Sequence, residues 1–167
     1  YSHFKNSLAL KYYYRALDIF KQLGIDKEIA KTLQNLGSYA FKNSAYETAL
    51  QCYDKSLEIC KNINDFRGMV YNYGGIGAVN QYIGNYDEAL DNYKIAIKYI
   101  EKTGDNNGYG KCLNNSGIVH YYKGDYHKAA KQLKESIYIL NNISNRDYDC
   151  YSTTYLYLAY KYIGKDY

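Results

Sequence analysis

The sequence lacks the features that membrane spans, metal sites and disulfide frameworks require. It contains no apolar run of about 18 residues, so it encodes no membrane-spanning helix. Its four cysteines are spread singly and form neither a C-x-x-C pair nor a cluster with histidine: Cys52, Cys60, Cys112 and Cys150. We therefore expect free thiols, a reducing and hence cytoplasmic environment, and no metal or other cofactor.

Residues that would support catalysis are also missing. No Ser/His/Asp or Cys/His arrangement occurs. We interpret the Asp/Glu pairs as residues of helix caps and solvated helix faces rather than as acid–base couples. Gly74, Gly75 and Gly77 imitate part of a phosphate loop, but no strand precedes them and no Lys-Ser/Thr follows. We interpret these glycines as packing or local flexibility, and we expect no catalytic residues.

Proline and tryptophan are absent, and the single methionine is Met69. The chain begins without an initiator methionine, so we expect it to be a piece of a longer protein with further repeats on either side. Net charge is only +4, and the central block from 70 to 109 is negative overall. Because phosphate binding needs a dense basic stripe, a nucleic-acid partner is not favoured.

What the sequence does contain is a period of 40 residues. The segments 43–50, 83–90 and 123–130 align, with Tyr46, Tyr86 and Tyr126 at one position. A fixed period in the range of 20 to 50 residues is typical of a stacked array rather than of a globule with one active site. Two amphipathic stretches with helical spacing alternate in each period, which predicts an all-α array of antiparallel helical hairpins.

The period also sets the expected boundaries. We predict a second helix of an incomplete unit over 1–25, full units over 26–64, 65–104 and 105–144, and a first helix over 145–167. Asp26 and Asp65 are expected to cap first helices, and Ser44 with Glu47 forms a capping-box pattern. Since both terminal helices are rich in apolar residues, end-to-end self-association is possible for this array.

Small and large residues recur in register along the units. Gly37, Gly77 and Gly117 share one position in the first helices. Glycine inside a helix costs about 1 kcal/mol relative to alanine. Three glycines at one register therefore predict close backbone contacts. The expected large partners, in the same register, are Tyr46, Tyr86 and Tyr126, then Tyr53, Tyr93 and Leu133.

These residues resemble the tetratricopeptide repeat family. The family pattern appears as Leu33-x-x-Leu36-Gly37 with Ala49-x-x-x-Tyr53, and as Tyr73-x-x-Ile76-Gly77 with Ala89-x-x-x-Tyr93. The family's closing proline is missing, and the period is 40 rather than 34. Long-period arrays of this kind resemble those of kinesin light chains, Leu-Gly-Asn-type scaffolds and bacterial sensor proteins. The resemblance implies a right-handed α-solenoid, the tetratricopeptide superhelix.

In this family the first helices line a concave groove that holds a peptide. The resemblance places there Lys31, Gln34, Asn35, Ser38, Lys42, Tyr71, Tyr82, Lys111, Asn114, Asn115, Tyr122, Tyr151 and Tyr155. Asn35 and Asn115 resemble the family residue that bonds to the main chain of the peptide, while tyrosines supply contact area with a polar tip. The family's chaperone clamp is not matched, because Gln34 and Ser38 stand where Lys and Asn are required.

We therefore expect a non-catalytic scaffold that binds a protein or peptide, with no membrane partner. A first alternative is a regulatory segment of a larger signalling protein such as a kinase, cyclase or transcription factor. A second alternative, a helical repeat that binds RNA through lysines and stacked tyrosines, is opposed by the negative central block.

Overall fold

The computed structural model describes residues 2–143 and 149–164, with side chains for 8–143 and 152–164. This part of the chain holds eight α-helices and no strand. In chain order they are α1 (Ser2–Leu23), α2 (Asp26–Lys42), α3 (Tyr46–Asn62), α4 (Phe66–Ile83), α5 (Tyr86–Thr103), α6 (Asn106–Tyr122), α7 (Tyr126–Asn142) and α8 (Asp149–Ile163). The all-α class is confirmed.

The helices stack in order. Each helix packs on its neighbours in the sequence, and α2, α4, α6 and α8 also contact one another in turn. The buried residues form several clusters spaced along the stack instead of one central core. The predicted solenoid of antiparallel hairpins is therefore confirmed. None of the described helices has both the length and the apolarity to cross a membrane.

A left-handed residue closes six of the helices, at a spacing of 20 residues. Ser44, with φ +60°, sits between α2 and α3, and the N–H of Ala45 then donates to the carbonyl of Ala40 at 2.9 Å. This six-to-one bond satisfies a carbonyl that the helix end would leave unpaired. Within residues 2–143 and 149–164, those with positive φ are Gly24, Ser44, Asn64, Gly84, Gly104 and Gly124.

Two of the expected caps are wrong. Ile25 is the N-cap of α2, so Asp26 lies inside the helix, and Ala45 rather than Ser44 is the N-cap of α3. Ser44 instead adopts the left-handed turn conformation, and no side-chain hydrogen bond caps the start of α3. The Asp65 cap is confirmed, since its Oδ1 accepts from the N–H of Gly68 at 3.1 Å.

Glycine permits the tightest contacts within each hairpin. A Cβ on Gly37 would lie 2.8 Å from the Tyr53 ring, and one on Gly77 would lie 2.6 Å from the Tyr93 ring. Gly117 has the same relation to Leu133, at 2.8 Å. Tyr93 is 1% exposed and Leu133 is 0% exposed, and each such side chain stabilises the fold by about 1.5–3 kcal/mol. The predicted glycine contacts are thus confirmed for Tyr53, Tyr93 and Leu133, whereas Tyr46, Tyr86 and Tyr126 contact tyrosines of the next unit instead.

Serine hydroxyls join α2 to α3 and α6 to α7. Ser56 Oγ donates to the carbonyl of Ala30 at 2.9 Å, and Ser136 Oγ donates to the carbonyl of Gly110 at 2.7 Å. Both serines are fully buried, so these bonds satisfy polar groups that water cannot reach. The middle unit has Ala96 at this register and forms no such bond through that side chain.

Tyrosine pairs tie each unit to the next at the edge where first helices end. The first residue of one unit's second helix meets a tyrosine 36 residues later. Ring centroids lie 5.9, 5.9 and 4.6 Å apart in the pairs Tyr46–Tyr82, Tyr86–Tyr122 and Tyr126–Tyr162. The last two pairs are stacked, at interplanar angles of 4° and 8°. We name these the edge tyrosine pairs.

Exchanging glycine for alanine at two places in α4 should change stability in opposite directions. Gly77→Ala should destabilise the protein by about 1–3 kcal/mol, because the new methyl group overlaps the Tyr93 ring. Gly74→Ala should stabilise it by about 0.5–1 kcal/mol, because no neighbouring atom lies within 4 Å of the added Cβ and helix propensity improves. Urea denaturation measures both, and equal effects would contradict the packing described.

The edge tyrosine pair of Tyr86 and Tyr122 should show coupling in a double-mutant cycle. With Tyr86→Leu and Tyr122→Leu, we expect a coupling free energy of about 0.5–1.5 kcal/mol, since the stacked geometry is lost with either ring. The matched control replaces Tyr138, which is 71% exposed, together with Tyr86. Strict additivity of the Tyr86 and Tyr122 changes would count against the pair.

Candidate functional site

The first helices of the units make one continuous surface. We call the surface formed by α2, α4, α6 and α8 the first-helix face; α3, α5 and α7 pack behind it. Most residues predicted to bind a peptide are at least partly exposed in these helices. Exposed are Lys31, Asn35, Lys42, Tyr71, Tyr82 and Tyr122, and half-buried are Gln34, Ser38, Lys111, Asn115 and Tyr155.

Two predicted residues fall outside this description. Asn114 is only 2% exposed, its Oδ1 accepts a bond from Ser152 Oγ at 2.6 Å, and its Nδ2 donates to Asn115 at 3.0 Å. It therefore joins α6 to α8 and orients Asn115, and it is not a residue of the open surface. The side chain of Tyr151 lies outside the described residues.

In the first unit, hydrogen bonds fix the side chains that border the middle unit. Gln34 Nε2 donates to the carbonyl of Gly68 at 3.3 Å. Ser38 Oγ lies 3.1 Å from Tyr53 Oη and 2.8 Å from Tyr71 Oη. Tyr71, although 47% exposed, is thereby held against α2 and leaves the space on its other side open.

That open space is a hollow of about 400 Å³ in the middle of the first-helix face. We call it the Gly74 hollow, because Gly74 forms part of its lining and has no neighbouring atom within 4 Å of an added Cβ. Its lining comes from α2, α4 and α6 with the second helices beneath. The lining residues are Ser38, Tyr53, Arg67, Val70, Tyr71, Gly74, Gly75, Ala78, Tyr93, Asp105, Asn107, Gly108, Lys111, Cys112 and Asn115.

Charges of both signs border the hollow. Arg67 comes from α4 and Lys111 from α6, and Asp105 precedes α6. The Asp105 carboxylate also caps α6, accepting the N–H of Gly108 at 3.0 Å. Cys112 is 5% exposed, and burial, followed by the charge of Asp105, raises the pKa of its thiol to about 12. This thiol is therefore neutral and unreactive near pH 7.

Tyr82 and Tyr122 have a structural role that the sequence reasoning missed. Each belongs to an edge tyrosine pair, although 71% of Tyr82 and 50% of Tyr122 remains exposed. Tyr122 Oη also lies 2.5 Å from Tyr155 Oη. The spacing of 36 residues between Tyr46 and Tyr82 was visible in the sequence and could have revealed the pairing.

The Gly74 hollow itself was also missed. Arg67, Asp105 and Asn107 were not expected at the site, because they lie at helix starts that only the stacking of α4 on α6 brings together. The glycines at 74, 75 and 77 were interpreted as packing or local flexibility, and close packing is found at Gly75 and Gly77 but not at Gly74. Among the described residues, no group of three or more His, Cys, Asp or Glu side chains is arranged to hold a metal ion.

Several solved structures share this architecture. A Rap protein complexed with Competence and Sporulation Factor has a TM-score of 0.79 and 18% identity, covering 97% of this chain and 44% of that one. The nearly identical TPR-like repeats of a kinesin light chain from Podosopora anserina have a TM-score of 0.73 and 14% identity. That match covers 98% of this chain and 82% of that one. The TPR2B domain of yeast Sti1, in complex with pHsp70, has a TM-score of 0.64 and 17% identity. That match covers 79% of this chain and 96% of the domain. These similarities concern the fold.

Sequence comparison identifies the family. No curated protein sequence matches the chain significantly. The tetratricopeptide repeat profile, however, matches residues 5–62 and 68–142, which is most of the sequence. With the stacked hairpins and the glycine contacts of each unit, this shows that the chain belongs to the tetratricopeptide repeat family.

Proposed function

We propose that this chain is a non-catalytic scaffold that binds an extended segment of a partner protein on its first-helix face. The observation that carries the proposal is the Gly74 hollow, to which three successive units contribute residues. A segment lying along this face would meet Asn35 in the first unit, the hollow in the second and Asn115 in the third. Amide side chains offer both a donor and an acceptor to a peptide main chain.

The surroundings of the two amides support this assignment. Asn35 is exposed on α2, beside the hydrogen-bonded Gln34. Asn115 borders the hollow, and its Oδ1 accepts from the buried Asn114, which fixes its orientation. A pre-positioned side chain loses less conformational entropy on binding, so Asn115 suits main-chain recognition, and Asn35 is exposed for the same kind of contact.

The comparisons give the proposal a precedent. The Rap structure is complexed with Competence and Sporulation Factor, and the Sti1 domain is in complex with pHsp70. Both are binding modules built on this fold. Cys52, Cys60 and Cys112 are free thiols, which agrees with a cytoplasmic location for the module.

A second candidate function is a regulatory segment of a larger signalling protein. The observation that favours it is the match to Rap, of which this chain covers 44%. In that case the first-helix face would hold either a signal peptide or another part of the same protein. The sequence of the whole gene product decides this, since a kinase, cyclase or DNA-binding domain beside the array would favour it.

Binding can be tested with dodecapeptides recovered from a random displayed library panned on the purified protein. Asn35→Ala combined with Asn115→Ala should weaken their binding about fivefold to 150-fold, because two hydrogen bonds of about 0.5–1.5 kcal/mol each are lost. Fluorescence anisotropy of labelled peptides measures the Kd.

The matched control for these amides is Asn141→Ala, an exposed asparagine near the end of α7. It should leave peptide affinity unchanged, and thermal unfolding should be the same for all variants. The proposal is wrong if panning recovers no binder, or if the double variant binds recovered peptides as tightly as the unaltered protein.

A further inference from the structure

Gly74 is the glycine of α4 that close packing does not explain. A Cβ on Gly75 would lie 2.7 Å from the Tyr53 ring, and a Cβ on Gly68 would lie 2.4 Å from Cys60 Sγ. A Cβ on Gly74 would meet nothing within 4 Å, and Gly74 is not among the glycines with positive φ. The helix therefore carries an unfavourable residue that neither packing nor backbone conformation requires.

The other units fill the same register with hydrogen-bonded amides. Gln34 holds this position in α2 and Asn114 in α6, 40 residues to either side of Gly74. Gln34 donates to the carbonyl of Gly68 in the next unit, and Asn114 accepts from Ser152 of α8. At Gly74 this side chain is missing, and the hollow occupies the same place between α4 and α6.

The walls of the hollow favour an apolar occupant. Val70 and the thiol of Cys112, neutral in its buried setting, line it, and the ring of Tyr71 is fixed by its bond to Ser38. Charged groups of both signs border it, so charge alone selects neither an anion nor a cation. A volume of about 400 Å³ lies at the small end of ligand pockets.

We propose that the Gly74 hollow receives one bulky apolar side chain of the bound segment, and that Gly74 is the residue that admits it. The inference rests on the proposed function, because the side chain belongs to the segment held by Asn35 and Asn115. The middle unit then binds a side chain of the segment, whereas its neighbours bind the main chain of the segment.

The hollow can be probed without any peptide. In ¹H–¹⁵N spectra, titration with N-acetyl-leucinamide should shift the amide signals of Gly74 and Gly75, whereas N-acetylglycinamide should not. Gly74→Gln places in the hollow the side chain that the first unit carries, and it should abolish the response seen at Gly75. If N-acetyl-leucinamide leaves both signals unmoved, the inference is overturned, even where library peptides bind through Asn35 and Asn115.

Library peptides give the second, sharper test. Gly74→Gln should weaken a recovered peptide about tenfold or more, as expected when a hydrophobic pocket is blocked. Replacing the peptide's largest apolar residue by alanine should remove most of that penalty, because the peptide then has nothing to insert. The inference is refuted if Gly74→Gln weakens the alanine-substituted peptide as much as the original peptide. It is also refuted if Gly74→Gln leaves the affinity of the original peptide unchanged.

These experiments separate two kinds of failure. If peptide affinity falls on changing Asn35 and Asn115 but not with Gly74→Gln, the proposed function is supported and the inference about the hollow is refuted. N-acetyl-leucinamide bound at Gly74 with no peptide recovered supports an apolar site and contradicts the proposed function. Because no neighbouring atom lies within 4 Å of an added Cβ at Gly74, Gly74→Gln should fold, and a melting curve verifies this.

Discussion

The architecture depends on the close approach of two helix backbones within each unit. At Gly37 and Gly77 the first helix has no side chain, and an aromatic ring from the second helix lies within 2.8 Å of the place that a Cβ would take. This contact brings α2 against α3 and α4 against α5 at a fixed register, and the third unit repeats it with Leu133 over Gly117. Since every unit uses the same contact, the units stack in one orientation and all first helices lie on one face.

The middle unit departs from this repetition at the place where we propose that a partner binds. Glycines at 37, 77 and 117 serve the hairpin contact, and Gly75 makes room for Tyr53 from the preceding unit. Gly74 serves neither purpose, and its neighbours in the register are polar side chains with defined partners. The array therefore departs from its repetition at Gly74, and this departure coincides with the hollow on the first-helix face.

Repetition explains why the fold could be predicted from the sequence. Gly37 and its equivalents recur every 40 residues. Each repeat therefore encodes its own hairpin contact, and the sequence shows the same pattern three times. The cap at Ser44 was mispredicted because a serine can either cap a helix or occupy the turn before it, and Ser44 occupies the turn. At Asp26 the helix begins one residue earlier than expected, with Ile25 as its N-cap. The Gly74 hollow depends on the way α4 and α6 sit side by side, which no single repeat encodes.

The central claim is that the first-helix face holds an extended segment. It is tested most directly by mapping amide shift changes in ¹H–¹⁵N spectra when a library-selected dodecapeptide is added. The account predicts that the largest changes fall in α2, α4 and α6, centred on the residues around the Gly74 hollow. Changes concentrated in α3, α5 and α7 would contradict it, because those helices pack on the opposite side of the stack.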